Sequence, residues 1–121
     1  MINVILVDDE TDLFPLFNIK FKREIRNNDI KFNFFTSAKD VLEFIESSDK
    51  GEFNFILSDI NMPDMDGLEL LEVIKKNNDT QKVYIISSYK SEDYNIKAKK
   101  LGADGFLQKP IDFKYLKEIL L

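Results

Sequence analysis

Residues 53–67 read Phe53-Asn54-Phe55-Ile56-Leu57-Ser58-Asp59-Ile60-Asn61-Met62-Pro63-Asp64-Met65-Asp66-Gly67, and this stretch decides the fold. Its first half is an apolar run of strand length; its second half is acids, a proline and a glycine. The pattern predicts a buried strand over Phe53 to Ser58, then a turn and a helix start near Gly67. Asp59 stands at the break. A carboxylate there projects from the C-terminal edge of the strand, where open α/β sheets place their ligands. Three other places in the chain follow the same rule. Asp8-Asp9 come after the apolar run Ile2 to Val7, Ser87 after Val83 to Ile86, and Lys109 after the short run Phe106-Leu107. Acids, a hydroxyl and an amine at successive strand ends point to a site for a divalent cation and a phosphoryl group.

Amphipathic stretches fill the intervals between these runs. Leu13, Phe17, Phe21 and Ile25 recur at helical spacing, with Leu16 beside them. With Asp12 as N-cap, Pro15 falls in the first turn, where its missing N–H needs no partner. Ile30 to Phe35 is a second strand. Ser37 and Asp40 resemble a capping box heading a helix with Ala38, Val41, Leu42 and Ile45 inward. Leu68, Leu71 and Ile74, with Leu70 and Val73 alongside, mark the third helix. The fourth, from about Ser91 to Leu101, has a thin stripe of Tyr94, Ala98 and Leu101 among many charges; Gly102 suits its C-terminal cap. So little apolar surface predicts the most loosely held helix. A fifth helix begins near Asp112 with Phe113, Leu116 and Leu120 inward, leaving Tyr115 and Ile119 as an exposed apolar contact.

Strands alternating with helices imply a parallel sheet with right-handed crossovers and helices on both faces, a doubly wound α/β fold. A length of 121 residues suits one domain over residues 1–121.

Composition narrows the chemistry. Histidine and cysteine are both absent. That excludes a Ser-His-Asp triad, imidazole or thiolate metal ligands, disulfides and phosphohistidine on this chain. Any metal must be a hard cation held by oxygen, Mg²⁺ or Mn²⁺ before Zn²⁺. The net charge of −5 argues against nonspecific nucleic-acid binding. Lys97, Lys99 and Lys100 read as a solvated helix face. No apolar run approaches the roughly 18 residues of a membrane span, and no charged leader precedes an apolar stretch. A cytoplasmic location without membrane contact is the expectation.

Taken together, Val7-Asp8-Asp9-Glu10, Asp59-Ile60-Asn61-Met62-Pro63-Asp64-Met65-Asp66-Gly67, Ile86-Ser87-Ser88 and Gly102-Ala103-Asp104-Gly105-Phe106-Leu107-Gln108-Lys109-Pro110 resemble the receiver domain of two-component response regulators. Singly these pieces are ambiguous: Asp8-Asp9 could be loop acids or caps, Lys109-Pro110 a turn, Ser87 a cap and Phe106 core. Their order and joint placement carry the resemblance, which covers essentially the whole chain.

The resemblance implies a flavodoxin-like sheet of strand order 2-1-3-4-5, with Asp59 as phosphoacceptor. It implies Mg²⁺ held by Asp9, Asp59 and the backbone carbonyl of Asn61, with Asp8 acting through a water. Lys109 and Ser87 would then bind phosphoryl oxygens, and Ser87 with Phe106 would form the switch. The partners implied are a sensor histidine kinase or histidine phosphotransfer protein upstream. Downstream, a target protein would dock on the face of the fourth helix, fifth strand and fifth helix. Ser87 stands where the family more often has Thr, Ser88 where it has Ala or Gly, and Phe106 lacks a phenolic oxygen. Tyr89 lies beside the path of an attacking water.

Two other readings compete. One is a receiver excised from a longer regulator with a DNA-binding output part. The other is a phosphatase with an aspartyl nucleophile, which Asn61 disfavours, because an amide two residues after the nucleophile cannot shuttle a proton.

Overall fold

A computed structural model describes residues 1–49, 51–60, 64–87 and 92–121. The five apolar runs form strands β1 (Ile2–Val7), β2 (Ile30–Phe35), β3 (Phe55–Asp59), β4 (Lys82–Ser87) and β5 (Gly105–Gln108). All pair in parallel, in the order β2-β1-β3-β4-β5. The chain steps outward from β1 to β2 and then back across to β3, so the topology switches between β1 and β3, the point where such sheets bind ligands.

Register aligns the strand ends. Val7 pairs with Ser58, which sets Asp8 level with Asp59. Asp59 pairs with Ile86, one residue before Ser87, and Ser87 pairs with Gln108, one residue before Lys109. Four chemistry-bearing residues scattered over a hundred positions thus reach one edge of one sheet.

Side-chain alternation divides the core. Ile5 and Val7 point to one face with Ile56 and Ile85, packed by helices α3 (Ala38–Glu46), α4 (Gly67–Asn77) and α5 (Glu92–Lys100). Val4 and Leu6 point to the other with Leu57 and Ile86, covered by α1 (Leu13–Lys20), α2 (Lys22–Arg26) and α6 (Phe113–Leu120). Strands buried on both faces read as continuous apolar runs rather than alternating ones, as β1 and β3 do.

The first helical stretch is two segments, where helical spacing alone predicts one. Phe21 separates them at φ −107°, ψ 20°. It is fully buried, with its ring 4.9 Å from that of Phe32, so packing rather than propensity sets the backbone there. The late start holds: α1 begins at Leu13 after Asp12, and Pro15 sits in the first turn.

β3 begins at Phe55, two residues later than its apolar pattern. The Asn54 side chain takes the place of a ladder partner, its Oδ1 accepting the Asn3 N–H at 2.8 Å. Ile119 is half-buried against the core rather than exposed, which leaves Tyr115 as the exposed apolar residue of that pair. Ala98 is the one fully buried side chain among the described residues of α5, and Tyr94 and Ile96 face solvent. Gly102, at φ +100°, closes α5 in the left-handed conformation.

Candidate functional site

The loop after β3 is tied down by its own residues. Gly67 N–H donates to the Ile60 carbonyl at 2.7 Å, and a Cβ at Gly67 would lie 2.4 Å from the Asp59 carbonyl oxygen. Only glycine lets α4 start this close to the end of β3. Asp66 then caps α4 by accepting the Leu68 and Glu69 N–H groups. Asp64 crosses to α3, where it accepts from Ala38 and Lys39, while Ser37 accepts the Asp40 N–H. Two of the three acids in the opening stretch therefore serve helix N-termini, which favour negative charge. Asp59 is the one left at the sheet edge.

Asp59 is 5% exposed, and Asp8 is completely buried. Between them stands Lys109, with Nζ 2.9 Å from Asp8 Oδ2, 3.4 Å from Glu10 Oε1 and 3.7 Å from Asp59 Oδ1. Lys109 is placed by β5 and by its own N–H, which donates to the Ser87 carbonyl at 2.9 Å. Asp8 Oδ1 accepts the Glu10 N–H at 2.8 Å. Its Oδ2 meets the Lys109 ammonium at 2.9 Å, a charge-assisted contact that partly offsets the cost of burying the carboxylate.

Burial pushes the Asp59 carboxyl up to about 6 from its ordinary 3.8, and the charge of Asp8 adds to the rise against the pull of Lys109. Asp8 is raised for the same first reason, burial, partly offset by Lys109 and the Glu10 N–H. Burial alone would depress Lys109, but Asp8, Asp59 and Glu10 together hold it above its ordinary value. Clustered acids short of positive charge are what a divalent cation relieves.

Carboxylate oxygens of Asp8, Asp9 and Glu10 lie within 4.8 Å of one another. Asp59 is outside that group, yet close enough for Asp8 and Asp9 both to raise its pKa. Ser87 is buried at the end of β4. Phe106, on β5, is half-buried against the core face shared with α3, α4 and α5. Asn61, Ser88 and Tyr89 lie outside the described residues.

Glu10 is the residue that sequence reading passes over. Its one signal is adjacency to Asp8-Asp9; its contact with Lys109 spans 99 positions and becomes visible only in the folded chain. The apolar hollow under α3 and α4, between Leu42, Phe53, Ile56 and Val73, lies at the opposite end of the strands and takes no part in this chemistry.

Comparison with known proteins bears on the family and the fold. Residues 4–121 match the family model described as response regulator receiver domain. Response regulator protein PilR of Pseudomonas aeruginosa is 34% identical over 116 residues, covering 96% of this chain and 24% of the relative. The DNA-binding transcriptional regulator NtrC of Proteus hauseri is 36% identical over 110 residues, covering 91% of this chain and 22% of its own. The chain thus spans about a quarter of the length of these relatives. Among solved structures, the Francisella response regulator 1452 receiver domain superposes with a TM-score of 0.83 at 27% identity, covering 99% of this chain and 93% of that one. A CheY-like receiver domain protein from Methanospirillum hungatei does so with a TM-score of 0.83 at 27% identity, over 99% and 94%.

Proposed function

The chain belongs to the response regulator receiver domain family, and from that premise we propose that Asp59 is its phosphoacceptor. The donor is a phosphohistidine of a sensor kinase or phosphotransfer protein, or a small molecule such as acetyl phosphate. One observation supports this most: a buried carboxylate at the end of β3 faces a half-buried lysine at 3.7 Å, at the edge of the sheet where the strand ends converge.

An Asp59 oxygen attacks phosphorus, and the bond to the leaving group breaks: P–N in phosphohistidine, P–O in acetyl phosphate. The leaving group keeps the electron pair, and Asp59 becomes an acyl phosphate. With its pKa at about 6, the carboxylate is mostly ionised at neutral pH and can act as a nucleophile. Lys109 is the point charge that pairs with a transferred phosphoryl oxygen, and Ser87 supplies a hydroxyl to another.

The residues fit a hard divalent cation: Asp8, Asp9 and Glu10 bring carboxylate oxygens within 4.8 Å of one another, a cluster that offers oxygen alone. Asp9, Asp59 and the Asn61 carbonyl would hold Mg²⁺, or Mn²⁺, with Asp8 acting through a water. When bound, the ion neutralises the acids and grips the phosphoryl oxygens.

The new dianion at Asp59 draws Lys109 and Ser87 toward it, and Phe106 turns inward. A local charge change thereby biases a two-state element. The face of α5, β5 and α6 reads that change out to a downstream protein. We place the chain in the cytoplasm, as one domain over residues 1–121, without turnover of external phosphoesters and without direct contact to nucleic acid or membrane. Because the matched relatives are about four times longer, the same switch also suits a receiver joined to an output part.

Intact-mass measurement with acetyl phosphate tests this reading. One phosphoryl adduct that requires Mg²⁺ and is lost in Asp59→Asn supports it; an adduct that survives Asp59→Asn contradicts it.

A further inference from the structure

Resting on the reading of Asp59 as phosphoacceptor, we propose that Glu10 is a positioning residue that slows phosphoryl uptake from anionic donors. It does so by drawing Lys109 away from Asp59 and by adding negative charge at the mouth of the site. In the resting protein the ammonium of Lys109 is closer to two other carboxylates, Asp8 at 2.9 Å and Glu10 at 3.4 Å, than to Asp59 at 3.7 Å. Those two competitors differ in kind. Asp8 is fully buried and belongs to the site's floor, whereas the Glu10 side chain is 70% exposed and the Lys109 side chain 14%.

Glu10 therefore stands on the solvent side of the lysine, where a donor must enter. Its backbone is fixed by the bond from its N–H to Asp8 Oδ1 at 2.8 Å, so the turn that presents it is a property of β1 and not of the side chain. With Asp8 and Asp59 it makes a third carboxylate around a single ammonium. When a donor reaches Asp59, the new P–O bond forms, acetate leaves with its electron pair, and Lys109 moves from Glu10 onto a phosphoryl oxygen. Glu10 opposes both the approach of a dianion and that movement, while donating nothing to the reacting atoms.

An exposed ion pair with Lys109 is a weak one, so the effect on rate is modest, roughly threefold to fivefold. It is also screened by salt, because the group faces water.

The test compares wild type, Glu10→Gln and Glu10→Asp at saturating Mg²⁺, with uptake followed by intact mass. Acetyl phosphate serves as a dianionic donor, and phosphoramidate, whose nitrogen carries a proton, as one of lower charge. At low ionic strength Glu10→Gln should take phosphoryl from acetyl phosphate roughly threefold to fivefold faster, with the gain in apparent donor affinity. The gain should be smaller with phosphoramidate and should fade in about 0.5 M salt, where the screening length falls to a few ångströms. Glu10→Asp should behave as wild type. A Glu10→Gln rate equal to wild type at low salt overturns the proposal, and so does a gain indifferent to salt and donor charge. If wild type itself takes up no phosphoryl group, the phosphoacceptor reading fails first and this one falls with it.

Discussion

Replacing Asp59 with asparagine changes one buried charge and almost nothing in shape, so its effect on stability can be worked out directly. In the ion-free protein, burial and the neighbouring charge of Asp8 lift this carboxyl from 3.8 to about 6. The folded state therefore holds a proton that the unfolded chain has already released. A raised carboxyl pKa means that stability is greatest below the unfolded value and is lost as pH rises from there through the folded one. The difference of about two units corresponds to about 3 kcal/mol, at about 1.4 kcal/mol per unit. Asparagine carries the neutral form at every pH. Asp59→Asn should therefore exceed wild type by about 3 kcal/mol near pH 8 in chelator, and by almost nothing near pH 4. Urea unfolding followed by circular dichroism reads this out. At a slope of about 1.5 kcal/mol/M the midpoint at pH 8 moves up by roughly 2 M. Saturating Mg²⁺ should narrow the gap, because wild type gains more from the ion. Coincident midpoints at pH 8, or a gain undiminished at pH 4, would refute the claim that Asp59 is a desolvated, charge-crowded carboxylate.

Further outcomes follow from the same geometry. Lys109→Ala leaves Asp8 and Asp59 buried without their cation; it should cost about 3 kcal/mol near pH 8 and less near pH 5 in a urea series. That variant should retain some phosphorylation but lose the link between phosphorylation and partner binding, measurable by titrating the charged and uncharged forms. Gly67→Ala drives a methyl group into the Asp59 carbonyl and should lower the thermal midpoint by several degrees or prevent folding, whereas Gly51→Ala, at φ +85° with nothing within 4 Å, should cost only the left-handed backbone strain of about 1 kcal/mol. At Asp104 burial favours the protonated form, but the Lys75 ion pair at 2.9 Å and the Val83 N–H hold the carboxyl below its ordinary value. Its stabilisation is thus present above the ordinary carboxylate pKa and lost as pH falls through the lower folded one. Asp104→Asn should be less stable than wild type near pH 7, with the difference closing in strong acid.

How much of this could be read from the chain depends on whether the deciding physics was local. Strand and helix identities were legible because the central runs are buried on both faces and read as unbroken apolar stretches, while the edge strand β2 alternates Ile30, Phe32 and Phe34 with Lys31 and Asn33. Asp59, Asp8, Ser87 and Lys109 were legible as a set because parallel strands deliver every C-terminal end to one edge. What escaped was set by tertiary contact. Helical spacing carried straight through Phe21, whose burial against Phe32 interrupts the helix. Asn54 looked like part of a strand, but its side chain replaces a ladder partner. Asp64 and Asp66 are helix caps, and assigning Asp64 to α3 required knowing that α3 begins near it. Ile119 lies off the Phe113, Leu116 and Leu120 stripe, yet it packs half-buried against the core.

The central claim is chemical: Asp59 forms an acyl phosphate. Acyl phosphates are reduced by borohydride, which would convert a phosphorylated Asp59 to homoserine and leave free carboxylates intact. The decisive measurement is peptide mapping by mass spectrometry after treatment with acetyl phosphate, with and without Mg²⁺, followed by borohydride. Conversion is expected at Asp59 alone, and only when Mg²⁺ is present. Conversion at another acid, or phosphoryl found on a hydroxyl with Asp59 unchanged, would contradict it.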